Sequence, residues 1–79
     1  MNSRQDHFAY CVQLFGGVTA FSRRLGIDER AIRRFVTGER PISDSLLQDT
    51  AKALNAFIAE ATTAEHHITA TLLSDQSDP

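Results

Sequence analysis

The sequence predicts an all-α fold, a compact bundle of about five helices. Three observations carry that expectation. Apolar residues recur at helical intervals along most of the chain. Capping residues and breakers punctuate the pattern: Ser3, Gly16-Gly17, Gly26, Asp28, Gly38, Pro41 and Ser43. The last third carries a heptad-like apolar stripe, suited to joining copies of the chain.

Seventy-nine residues make one small domain, set at residues 1–74 with a polar frayed end at 75–79. A hydrophobic content of 42% suffices for a modest core. With no Trp and few aromatics, a base-stacking platform for single strands is disfavoured. The single cysteine excludes an intrachain disulfide and any Cys-based zinc site. No apolar run approaches a membrane span and no signal-peptide pattern opens the chain, so a cytoplasmic protein is expected. No nucleophile-base-orienter set, paired carboxylates or Gly-rich phosphate loop points to an enzyme, and no cofactor is expected.

The first helix is capped by Asn2 or Ser3, with Ser3 and Asp6 at capping-box spacing. Phe8, Cys11, Val12, Leu14 and Phe15 form its buried side, and Gly16-Gly17 ends it. Cys11 reads as a small core residue, and His7 has no ligand set near it. A second helix runs from about Val18 to Leu25, with Phe21 and Leu25 inward. Arg24 can pair with Asp28; Arg23 is free for a phosphate or for solvent. Gly26 turns sharply, Ile27 plugs the turn, and Asp28 caps a third helix over about 29–37 that closes at Gly38.

That third helix has two unlike faces. At about 100° per residue, Ala31, Ile32, Phe35 and Val36 share one side, while Arg30, Arg33, Arg34 and Thr37 share the other. Three guanidinium groups at i, i+3 and i+4 repel one another by a few tenths of a kcal/mol per pair. Glu29 can relieve Arg33, but Arg30 and Arg34 have no acidic partner at helical spacing. An anionic ligand would remove the repulsion, and duplex DNA offers both phosphates and guanine edges. The alternative is an ordinary solvated basic face. Net charge is −2, but residues 22–41 hold six Arg against Asp28, Glu29 and Glu39, a local +3. Residues 42–79 hold Lys52 against six acidic residues, a local −5. A local basic patch matters more to DNA binding than the total.

Helix, short Gly-containing turn, helix is the helix-turn-helix arrangement. The run VTAFSRRLGIDERAIRRFVTGERPIS resembles the Cro/CI-like (lambda-repressor-like, XRE) family over about residues 8–54. Ser22 departs from the usual Ala and Phe35 from a frequent Trp; the first is tolerable if its hydroxyl bonds back to the helix. The resemblance implies base contacts from Glu29, Arg30, Arg33 and Arg34, with Glu29 alternatively pairing Arg33. It implies phosphate contacts near Val18 and Thr19 at the amide end of the second helix, and at Arg40 and Ser43 in the exit loop. Arg23 and Thr37 complete the expected phosphate set. More narrowly, FGGVTAFSRRLGIDERAIRRFVTGERPI resembles anti-CRISPR-associated repressors of phages and mobile elements, which implies an autorepressor in a bacterial host cell.

After Pro41, Ser43 caps further helix. Leu47, Ala51, Leu54, Ile58, Ala61, Glu65, Ile68 and Leu72 follow in steps of 4 and 3, with Glu65 the one polar member. Leu46, Thr50, Ala53 and Phe57 lie beside that stripe. Thr62 and Glu65 have capping-box spacing, so two helices with a break or kink near Thr62 compete with one long helix, and the break or kink is the expectation preferred. The part to Leu54 should pack on the helix-turn-helix. The rest, about 55–73, should either fold back or meet a second copy through Phe57, Ile58, Ala61, Ile68 and Leu72. His66-His67 point about 100° apart without a third ligand, so no metal site is expected. The expected function is a homodimeric DNA-binding repressor on an inverted repeat. The alternative is an antitoxin or adaptor that grips a partner protein with the C-terminal stripe.

Overall fold

The computed structural model describes residues 3–77. Four helices account for the described chain: α1 (Arg4–Leu14), α2 (Val18–Leu25), α3 (Glu29–Thr37) and α4 (Asp44–Ser77). The count is four rather than about five because the break expected near Thr62 is missing; α4 is unbroken over 34 residues. No Gly or Pro interrupts residues 44–77, and Glu65 accepts the Thr69 hydroxyl (2.6 Å) instead of reaching back to cap a helix start. The polar end expected to fray from Ser74 or Asp75 is helical through Ser77. The possible cap at Asn2 and the tail residues Asp78 and Pro79 lie outside the described residues.

Local chemistry sets the other boundaries where the sequence places them. Ser3 Oγ accepts from the Asp6 amide (3.0 Å), and Asp28 Oδ1 accepts from the Arg30 amide (2.8 Å). Ser43 Oγ accepts from the Leu46 amide (3.1 Å). Gly26 ends α2 in the left-handed region (φ +71), where Cβ-bearing residues pay a steric penalty. Gly38 does the same for α3 (φ +86). Ser22 donates to the Ile27 carbonyl across the turn (2.6 Å), rather than back into its own helix.

The core is Phe8, Val12, Phe21, Ile32 and Leu46, flanked by Phe15, Val18, Leu25, Ile27, Phe35, Val36 and Ile42. Phe8 meets Phe21 and Phe35 edge to face at 5.3 and 5.9 Å, a favoured aromatic arrangement. Cys11 is buried as expected, and burial pushes its thiol pKa up. Leu14, expected inside, is 47% exposed. Thr50 is buried because its hydroxyl donates to the Leu46 carbonyl (2.8 Å), which satisfies it without a partner from another helix.

On α4, Leu46 and Thr50 are buried and Ala53 and Phe57 half-buried on the head side, while the adjoining Leu47, Ala51 and Leu54, with Thr50, edge an open groove. Beyond Glu60, which pairs with Arg24 (2.8 Å), the helix leaves the head. Every residue from Ile58 to Asp75 is exposed, and the molecule measures 60 × 22 × 18 Å. No described helix is long and apolar enough to cross a membrane.

Candidate nucleic-acid interface

The capped start of α3 and the burial of Ile32 orient its polar face outward. Arg30, Arg33, Arg34 and Thr37 are all exposed on that face. Arg33 and Arg34 keep 60% of their side-chain surface accessible. Arg33 Nη2 lies 3.3 Å from Glu29 Oε1, the i,i+4 pair expected from spacing. Arg34 Nε lies 3.9 Å from Glu39 Oε2, a loose pair one residue beyond helical reach and so missed from spacing. Arg30 has no ion pair among the described residues. Exposed ion pairs of this kind contribute about 0–1 kcal/mol, which an incoming phosphate or guanine can replace.

Glu29 is drawn into a small network. Its Oε1 accepts from the Thr19 hydroxyl (3.0 Å) and faces Arg33. In this arrangement Glu29 positions Arg33 and ties α3 to α2, the second of its two expected roles. Thr19 spends its hydroxyl on Glu29, but the amide end of α2 is open: Gly17 supplies no side-chain cap. Val18 is half-buried against the core, so only its backbone can serve a phosphate.

Arg40 lies over the Phe35 ring at 5.0 Å, so a core-flanking aromatic steadies the exit-loop cation. Thr37 donates to the Arg34 carbonyl (3.2 Å). Ser43 uses its oxygen as a cap and retains its hydroxyl hydrogen for donation. Arg23 is exposed, with no ion pair among the described residues.

Arg24 does not pair with Asp28. It reaches Glu60 (2.8 Å) on α4 and sits near the rings of Phe15 (5.7 Å) and Phe57 (5.2 Å). Asp28 is already committed to its cap. Phe57, expected at a partner interface, stacks on Phe15 of its own chain at 5.1 Å. Ile58, Ala61, Ile68 and Leu72 are exposed, so the fold-back alternative for this stripe is not the arrangement seen.

Two supporting residues carry no sequence signal that marks them. Arg4 donates to the Ile42 carbonyl (3.2 Å) and pairs with Asp44 (2.7 Å), fixing the exit loop. Gln5 donates to the Val36 carbonyl (2.9 Å), satisfying one of the acceptors at the C-terminal end of α3. Both bonds join residues more than thirty positions apart.

No protein-family model, curated protein or solved structure matches this chain.

Proposed function

We propose that the chain is a sequence-specific DNA-binding transcriptional repressor. In this reading α2, the Gly26 turn and α3 form a helix-turn-helix, and α3 enters the major groove. The observation that carries it is the outward ridge of Arg30, Arg33 and Arg34 on a short capped helix whose opposite side is buried. Arg33 and Arg34 present planar donors suited to the O6 and N7 edge of guanine. Arg23, Arg40, Ser43 and the open end of α2 hold phosphate oxygens and set the register. The protein acts as a homodimer, so its operator is an inverted repeat with half-site centres about 34 Å, or a multiple, apart. Occupying a promoter then blocks polymerase. The resemblance noted above makes that promoter the one of its own operon, in an anti-CRISPR or other phage locus.

The test is a gel-shift titration against a selected duplex. Arg33→Ala or Arg34→Ala is expected to lower specific affinity roughly 5- to 150-fold, from the 1–3 kcal/mol of a bidentate contact, while the helical circular dichroism stays unchanged. Unchanged affinity refutes the role. Arg40→Ala is expected to weaken binding to all sequences and flatten its salt dependence.

The projecting half of α4, with Ile58, Ile68, Leu72 and Leu73 each more than half exposed, favours a second reading. As an antitoxin or adaptor, the chain would grip a different protein there. Stoichiometric co-purification of that protein, without salt-sensitive DNA binding, would select this reading.

A further inference from the structure

The eight stripe positions of α4 run 47, 51, 54, 58, 61, 65, 68, 72. Their spacing reads the same from either end, with its midpoint between residues 59 and 60. At about 100° per residue they occupy one arc roughly 100° wide. The helix is unbroken, so it carries both halves of that arc in line.

The two halves differ in what surrounds them. In the first half, Leu47, Ala51 and Leu54 form one wall of an open groove of about 270 Å³, with His7, Phe8 and Cys11 of α1 opposite. From Ile58, at the end of the first half, onward the stripe is open: Ile58, Ile68 and Leu72 are 64, 63 and 54% exposed. A straight helix cannot bend its own far half back into that groove.

We propose that two copies pair antiparallel through α4, each laying its projecting half into the groove of the other. This deepens the homodimer part of the proposed function and rests on it, but not on DNA binding. A two-fold axis at the stripe's midpoint maps it onto itself, as an isologous interface requires. Ala51 then faces Ile68 of the second copy, and Ile58 faces its Ala61. Each small residue meets a large one, which packs a layer evenly. Leu47 faces Leu72 across the groove mouth.

Parallel pairing in register would do the reverse. It would set Ala51 on Ala51, Ile68 on Ile68 and the Glu65 carboxylates against each other, a destabilising like-charge apposition. Antiparallel pairing places Glu65 beside Leu54 instead. Its carboxylate already accepts the Thr69 hydroxyl.

Cross-linking without DNA tests the register. In a Cys11→Ala background, Ala51→Cys and Ile68→Cys chains are oxidised separately and after mixing to equilibrium. Both substituted positions are exposed, so neither change touches the core. Antiparallel pairing leaves identical cysteines about 25 Å apart along the axis, far beyond the roughly 7 Å limit for a disulfide. A disulfide dimer is therefore expected only from the mixture.

Self-linking of each separate chain would overturn the proposal in favour of parallel pairing. A dimer by sedimentation that never cross-links in the mixture would overturn the register, and a monomer across the micromolar range would overturn the pairing. Operator binding is measured in parallel. A chain that binds DNA but fails these tests loses only this interface, and one that cross-links but selects no DNA loses only the regulator reading.

Discussion

The head, residues 3–57, and the projecting half of α4 are both helical for different reasons. In the head, short helices of 8 to 11 residues are too short to persist alone in water. They are held by caps and by the buried Phe8, Val12, Phe21, Ile32 and Leu46. The projecting half has no such core. It extends a helix already nucleated in the head, and each added residue needs only propagation. Burial therefore explains the head, while continuity without a breaker explains the arm. An apolar stripe left exposed is what sets the arm apart from the head.

The sharpest way to break that contrast is a pair of truncations. Phe8→Ala removes a fully buried ring that touches two others, and is expected to cost about 3–5 kcal/mol in chemical denaturation. Leu73→Ala, at a position off the stripe, is expected to change stability by under about 0.5 kcal/mol. Equal costs would show that the arm is packed in a way that one chain does not reveal.

Gly38 comes next. An added Cβ would lie 2.8 Å from Gln5 Oε1, at a φ of +86. Gly38→Ala is expected to lose about 1–2 kcal/mol from the backbone conformation, plus the cost of moving Gln5. Adding Gln5→Ala should remove the steric part and leave the conformational part. A double-mutant cycle in thermal unfolding separates them.

Arg24 links the two regions. Arg24→Ala is expected to cost about 1 kcal/mol, from an ion pair with Glu60 and contacts with Phe15 and Phe57. The loss should shrink in high salt, since Glu60 is largely exposed.

Cys11 gives the smallest effect. Burial raises its folded pKa above that of the unfolded thiol. An acid held neutral in this way leaves stability flat below the unfolded pKa, about 8.5, and lowers it as pH rises past that point. Cys11→Ala should abolish this alkaline slope in denaturation curves measured between about pH 7 and 10.

What could be read from the chain was what is local. Ser3, Asp28, Ser43, Gly26 and Gly38 act on amides or dihedrals within a few residues, so residue type and spacing reveal them. The two faces of α3 follow from its period alone. Arg24–Glu60, Gln5–Val36 and Arg4–Ile42 join distant turns, and no spacing rule brings such residues together. The capping-box spacing at Thr62 misled because a cap is used only where a helix must start, and nothing stops α4 there. Phe57 misled in a related way: it sits beside the stripe, but Phe15 claims its ring.

Whether the arginine ridge of α3 reads DNA is decided by selecting bound sites from a random duplex pool with the intact chain. The expected result is enrichment of an inverted repeat with guanines in each half-site and half-sites one helical turn, or a multiple, apart. Enrichment should collapse with Arg33→Ala or Arg34→Ala. A pool that stays random with the folded, intact chain would contradict the claim that the arginine ridge of α3 reads DNA.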